Sequence, residues 1–455
     1  MNDWNDAESH VERAHDAYEA GRWDEAESEL REAISINPFQ PEWHFNLGLT
    51  LEAAGRYRDA VAAFGDASEL HPDDPQSPLM AAGNCLKLGE AREALRWLDR
   101  AERNDPQGAQ VYVQRIDAYT QLGEHEQAEV AFYMGQEVDD QDADLYSAIA
   151  ESLLRRSLND RAVWCLEQAL KLDDSIPGVH ARLASVHATM GRRDQARRHY
   201  LMELRRDPGD IATLLDLGDL LVELGRHDEA GEKYRRVIEL DATSAEAHMA
   251  LGSLLLDDRK PAEALRHFEQ VLQLDPGFPR ARLYAAEAMI SAGDGQRVSE
   301  ARALLLRECD GFEPQADGPS WDAADLEEFA RLLLQVGLPG KAVPVSATLL
   351  SHRATDAASH HLYGLVLHQD GRPIEAQEAW RRAVELDPRY MPALVSLIVA
   401  SAHAKRWGEC VRWSARAVQV APHDPDLRRA MFWLRVREAI DPLARLVRKV
   451  VRRGR

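Results

Sequence analysis

Seventeen histidines, four cysteines and seventy-seven Asp and Glu residues give this 455-residue chain ample material for metal binding or acid–base work. Their spacing decides whether any of it converges. His360, His361 and His368 form the densest histidine group, and His361 and His368 lie two helical turns apart. A zinc-type site there needs at least a third ligand, and none stands at a suitable spacing. Cys85, Cys165, Cys309 and Cys410 are widely separated, with no CxxC pair, and read as buried thiols. Asp139-Asp140 and Asp173-Asp174 fall where turns are expected, with carboxylates capping the following helix rather than sharing an enclosed site. The chain has no GxxxxGK[ST] phosphate loop, no GxGxxG, no HExxH and no GxSxG. No catalytic residue, cofactor site or metal site is expected, and the chain reads as something other than an enzyme.

The elements that carry these residues repeat. Gly21-Arg22-Trp23-Asp24-Glu25-Ala26 and Gly55-Arg56-Tyr57-Arg58-Asp59-Ala60 are 34 residues apart, and Gly191-Arg192-Arg193-Asp194-Gln195-Ala196 lies four such periods beyond the second. Repeats begin at Ala7, Pro41, Pro75, Ala109, Ala143, Pro177, Ile211, Ala245 and Pro279 without gain or loss of a residue, and three more begin near Ala323, Ala357 and Met391. One column reads Ala26, Ala60, Ala94, Ala128, Ala162, Ala196, Ala230, Ala264, Ala301, Ala342, Ala376 and Cys410. Only a small side chain fits where the two helices of a hairpin approach most closely. A facing column is also small, as at Ala14, Gly48, Ala82 and Gly252, with Ile116 and Ile398 as its exceptions. Four residues after the alanine comes a large group such as Leu30, Phe64, Leu98, Phe132 or Trp380. Ser346 and Ser414 break that column, so repeats ten and twelve are expected to pack less tightly. Glycine at the hairpin turn and proline after the second helix punctuate each unit.

Over residues 7–424 this pattern resembles the tetratricopeptide-repeat (TPR) family. The resemblance implies an all-α solenoid, a right-handed superhelix of about twelve helix hairpins plus C-terminal capping helices, with the first helices lining a concave face. His10, His44, His180, His248 and His360 share one repeat position and read as packing residues. Two ligand codes known in the family are absent. The clamp of chaperone-binding members maps to Val11, His15, Asn46, Gln76 and Met80, where only Asn46 matches. The asparagine ladder of O-linked glycosyltransferases maps to Glu12, Asn46, Met80, Gln114, Ala148, Arg182, Asp216, Ala250 and Tyr284, which is no ladder.

The register breaks once. Gly293 to Ala301 spans eight residues where other repeats have five, and the extra residues are expected in the turn, within 294–297. The Gly-, Pro- and Asp-rich stretch after Cys309 then reads as a loop. The expected organisation is an N-terminal array at 1–309, a linker or hinge at 310–322, a C-terminal array at 323–424, and a capping helix with a basic amphipathic terminal helix at 425–455. In that last stretch ten Arg and Lys face three acids, so it carries +7 and the remaining residues −29 of the formal −22. Leu443, Leu446, Val447, Val450 and Val451 fall in one helical sector, and Arg445, Arg448, Lys449, Arg452 and Arg453 in the opposite one.

An acidic body argues against sequence-independent nucleic-acid binding along the array. The inferred concave columns offer His15, Tyr18, Phe45 and Asn46 early, and Leu215, Asp219, Glu223, Glu246, Met249, Asp257 and Glu287 in repeats seven to nine. Apolar and acidic groups together suit a protein or peptide of apolar and basic character. The function expected is a non-catalytic interaction scaffold or adaptor. Alternatives are a regulatory subunit of a separately encoded enzyme, or association with an anionic membrane or nucleic acid through the basic terminal helix. That helix also complements the acidic groove of a second copy, which points to a homo-oligomer. The acidic start Met1-Asn2-Asp3 has no signal-peptide character and no long apolar run follows, so a cytoplasmic location is expected.

Overall fold

The structure, a computed structural model, describes residues 2–293, 295–312, 321–425 and 428–437. Among them the chain forms twenty-four successive helices, a further helical stretch at 428–437 and no strand. The helices belong to two compact units, Met1–Arg226 and His227–Arg455.

The first unit holds α1 (Asn2–Glu19), α2 (Trp23–Ile36), α3 (Pro41–Ala53), α4 (Tyr57–Leu70), α5 (Gln76–Lys87), α6 (Ala91–Asn104) and α7 (Ala109–Leu122). It continues through α8 (His125–Val138), α9 (Ala143–Arg155), α10 (Asn159–Leu172), α11 (Val179–Thr189), α12 (Arg193–Arg206) and α13 (Ile211–Glu223). The second unit holds α14 (His227–Leu240), α15 (Ala245–Asp257), α16 (Pro261–Leu274), α17 (Ala281–Ser291), α18 (Gly295–Asp310) and α19 (Ala323–Gln335). It ends with α20 (Pro339–His352), α21 (Ala357–Gln369), α22 (Pro373–Leu386), α23 (Met391–His403) and α24 (Trp407–Val420). Within each unit an odd-numbered helix packs on the even-numbered helix after it as a hairpin.

The turn glycines explain why the hairpins close so abruptly. Gly21 has φ 70° and Gly371 φ 81°, the left-handed region where a side chain is strained. The cap bonds follow: Gly21 N–H donates to Tyr18 O at 2.9 Å and Arg22 N–H to Ala17 O at 2.9 Å. Three turns lack glycine, and Ser157, Arg259 and Lys405 adopt the same left-handed conformation at φ 58°, 60° and 56°. Turn geometry is therefore set by hairpin packing even where composition opposes it.

The two sequence columns meet as knob and seat. A Cβ added to Gly48 would lie 2.6 Å from the Phe64 ring and one on Gly252 2.6 Å from Phe268, while one on Gly364 would overlap the Trp380 indole. Glycine under an aromatic ring and alanine under leucine conserve the volume of the joint. Burying each such ring stabilises its hairpin by about 2–3 kcal/mol. In α23–α24 the sizes are exchanged, with Ile398 in the small column and Ser414 in the large one. Ser346 in α20 is fully buried and donates its Oγ–H to Ala342 O at 2.7 Å. In the preceding helix α19, Phe329 is fully buried and stacks on Trp321, ring centroids 5.3 Å apart. Both serines that break the large column are buried, Ser346 fully and Ser414 to 3% exposure.

The register break also differs from expectation. α18 begins two residues after Gly293, as second helices do elsewhere, and runs for 16 residues where its counterparts run for 14. The extra residues 295–297 are helical and extend the first turn of α18; residue 294 lies outside the described residues. At the loop, Phe312 and Trp321 meet edge to face at 5.6 Å, so the chain leaves and returns at one place. Most of the 310–322 linker or hinge, residues 313–320, lies outside the described residues, as do the basic residues Arg445, Arg448, Lys449, Arg452 and Arg453.

The inter-repeat acids do a different job from the one expected. Asp139 and Asp173 accept from the N–H groups of Gln141 (2.9 Å) and Ser175 (2.7 Å), closing local turns. Helix capping belongs to a later residue: Asp142 accepts from Asp144 N–H and Asp356 from Ser359 N–H, each at 2.8 Å. Among the described residues no helix is long and apolar enough to cross a membrane.

Candidate functional site

First helices carry three sets of candidate contact residues, two in the first unit and one in the second. In α1, helical spacing brings Val11, His15 and Tyr18 to one face. Across from them α3 presents Asn46 and Leu49, and Leu30 of α2 closes the base of a pocket of about 240 Å³. Tyr18 is held edge-on against Trp23, ring centroids 5.1 Å apart, and His15 is exposed. Phe45 does not line this pocket. Its ring turns into the hairpin and meets Phe64 at 5.3 Å. The second set lies on α13, where Leu215 is half-buried, Asp219 is exposed and Glu223 pairs with Arg193 at 3.0 Å.

The third set lies in the second unit, on α15, α17 and α19. Met249 is half-buried on α15, with Glu246 and Asp257 exposed at either end of that helix. On α17 the Glu287 carboxyl is pushed up to about 7, first by burial and then by the fields of Glu328, Asp257 and Asp325. Burial likewise raises Glu328 on α19, against the pull of Arg331. Asp257, Glu287 and Glu328 form no ion pair among the described residues. Asp325, by contrast, is buried and held, accepting from Tyr284 O–H at 2.8 Å and pairing with Arg280 at 2.8 Å. This face therefore holds two partly desolvated carboxylates, Glu287 and Glu328, with the field of the exposed Asp257 added at Glu287 and only Arg331 opposing at Glu328.

Sequence reasoning found Asp257 and Glu287 but missed Glu328. The signal was present: the column through Asn46 and Tyr284 continues at Glu328 once the loop after Cys309 is skipped. It also missed Asp117 on α7, a groove carboxyl pushed up to about 6 by burial, with Arg182 opposing and Glu151 and Asp144 adding to the shift.

The histidines do not converge. His361 Nε2 lies 3.0 Å from Ser396 Oγ, His360 Nε2 lies 3.0 Å from Ala354 O, and His368 packs on the Trp380 ring. Those at the shared repeat position find partners within their own hairpins or turns, as in the 3.1 Å contact of His180 Nδ1 with His199 Nδ1. Among the described residues no three His, Cys, Asp or Glu side chains are grouped to hold a metal ion. The four cysteines are free thiols; burial raises Cys85, Cys165 and Cys309 to about 11, which leaves them protonated and unreactive.

Five family models described as tetratricopeptide or TPR repeats match the chain, at residues 11–78, at 51–115 with 255–307, at 218–258, at 179–212 and at 357–390. Together they cover more than half of it. No curated protein matches. Among solved structures, TTC0263, a thermophilic TPR protein of Thermus thermophilus, is 27% identical over 40% of this chain and 100% of its own, with a TM-score of 0.38. The anaphase-promoting-complex hetero-tetramer Cut9–Hcn1 is 14% identical over 94% of this chain and 96% of its own, with a TM-score of 0.42. YrrB, a TPR protein with an unusual peptide-binding site, is 19% identical over 42% of this chain and 97% of its own, with a TM-score of 0.36.

Proposed function

The chain belongs to the tetratricopeptide-repeat family, and from that premise we propose that it is a non-catalytic scaffold whose first-helix faces hold a partner segment of apolar and basic character. One observation carries the reading. Glu287 and Glu328 are partly desolvated, the exposed Asp257 adds its field to Glu287, and none of the three forms an ion pair among the described residues. A free protein pays for that arrangement in self-repulsion, and a Lys or Arg of a partner removes the repulsion on binding. On α15 the half-buried Met249 offers apolar contact, and in the first unit the His15–Tyr18–Asn46 pocket has room for one side chain. This chain's own residues 425–455, with a net +7, have the complementary charge, so a second copy is one candidate partner.

Fluorescence anisotropy with a labelled Leu/Lys peptide tests the reading. The triple variant Asp257→Asn, Glu287→Gln, Glu328→Gln is expected to weaken binding by about tenfold or more. The wild-type affinity is expected to fall as the pH drops through about 7, because Glu287 then takes up a proton that the peptide must displace. An affinity that ignores both the triple substitution and the pH overturns the proposal.

A further inference from the structure

The second-helix side of α7–α10 carries an apolar notch that has no part in the faces described above. Val130, Tyr133 and Met134 of α8 are 50%, 54% and 42% exposed, and Trp164 of α10 is 53% exposed. Between Tyr133 and Trp164 opens a cavity of about 350 Å³ floored by Phe132, Ile149, Leu153 and Cys165.

One residue sets this repeat apart from its neighbours. Gly48 and Gly252 leave space into which Phe64 and Phe268 sink until no part of either is exposed. At the equivalent place α7 carries Ile116, itself fully buried. Phe132 cannot occupy the same volume. Its ring stays buried but 7% exposed, 5.5 Å from Tyr133 and 5.4 Å from Tyr146, and forms part of the notch floor.

The charges around the notch are unbalanced. Glu129 and Asp160 line the notch, and the exposed Glu137 and Glu167 stand one helical turn beyond Tyr133 and Trp164. Arg156 and Arg161 both pair with Glu129, at 2.5 and 3.3 Å, and Arg192 pairs with Asp160 at 3.0 Å. Glu137 and Glu167 form no ion pair among the described residues.

We infer that this notch is a second docking site, for a partner segment that inserts one apolar side chain between Tyr133 and Trp164 and flanks it with Lys or Arg. An exposed apolar patch with a polar rim marks an interaction surface, and a desolvated aromatic pocket is where binding energy concentrates. The unpaired carboxylates select basic flanks over acidic ones. The site is independent of the carboxylate face of α15, α17 and α19.

The experiment uses the full chain in the Asp257→Asn, Glu287→Gln, Glu328→Gln background, so that binding at that face does not contribute. The probes are a fluorescein-labelled peptide with one Leu flanked by Lys, the same peptide flanked by Glu, and a Lys peptide without Leu. The Leu/Lys peptide is expected to bind, and the other two to bind at least about tenfold more weakly. Adding Tyr133→Ser with Trp164→Ser is expected to weaken the Leu/Lys peptide by about tenfold or more. Both side chains are more than half exposed, and an unchanged thermal melt confirms that the variant is folded. Failure of the Leu/Lys peptide to bind, equal binding of the Glu-flanked peptide, or binding that survives the double substitution overturns the proposal. A fall in sedimenting mass on the double substitution assigns the notch to a second copy and overturns it as well.

Discussion

Glu287 is the clearest residue whose surroundings act against its usual ionisation. Burial, then Glu328, Asp257 and Asp325, raise it from 4.5 to about 7. Because the folded value is the higher one, the folded chain keeps a proton that the unfolded chain releases between those limits. The group's contribution to stability is complete below about pH 4.5 and is lost as the pH rises through about 7. Glu287→Gln removes that dependence. Urea melts are expected to show the variant matching wild type near pH ~4 and exceeding it by ~1 kcal/mol near pH ~8; equal stability at both would mean that the carboxyl is not desolvated. Asp257 and Glu287 were legible in the sequence because a strict 34-residue register assigns every residue a face. Glu328 was not, because the interruption after Cys309 hides which column it continues. His361 and His368 show the opposite failure. Helical spacing places them together, but Ser396 and Tyr390 hold one while Trp380 holds the other.

Elements were easier to read than contacts. Glycine and proline mark each turn, and the alternation of small and large columns marks each hairpin, since both are local requirements of two helices packed closely. α20 keeps its helix in spite of Pro344, which stands exposed in its interior and lacks the N–H that would bond back toward Gly340. An interior proline opposes a helix by about 3 kcal/mol. Pro344→Ala loses no buried contact, so denaturation of the variant is expected to show a gain of about 1–3 kcal/mol. No gain would mean that hairpin packing already absorbs the kink. The inserted residues before Ala301 teach the complementary lesson. Sequence located the insertion, but nothing local decides between a longer turn and a longer helix. The structure extends α18 because the turn glycine already ends the preceding helix, leaving the added residues free to continue the next one.

At the scale of the whole molecule the charge is strongly divided, −29 over residues 1–424 against +7 over 425–455. If the basic end of one copy neutralises the carboxylates of another, deleting residues 442–455 is expected to lower the mass measured by light scattering, and added salt is expected to do the same to the full chain. A mass unchanged by the deletion removes the second copy from the list of partners. Family and fold class were determined by the sequence alone. A helix hairpin that buries small against large at a constant period needs only its own 34 residues and its neighbours, so each repeat states the fold again. What the sequence could not state were consequences of three-dimensional volume and field. Phe132 has the same residue type and column as Phe64, and only the folded packing leaves its ring 7% exposed, where Phe64 is fully buried, as part of the floor of a notch. Asp257, Glu287 and Glu328 lie on three different helices, and only their assembly in the folded unit brings the fields of Asp257 and Glu328 onto the half-buried Glu287.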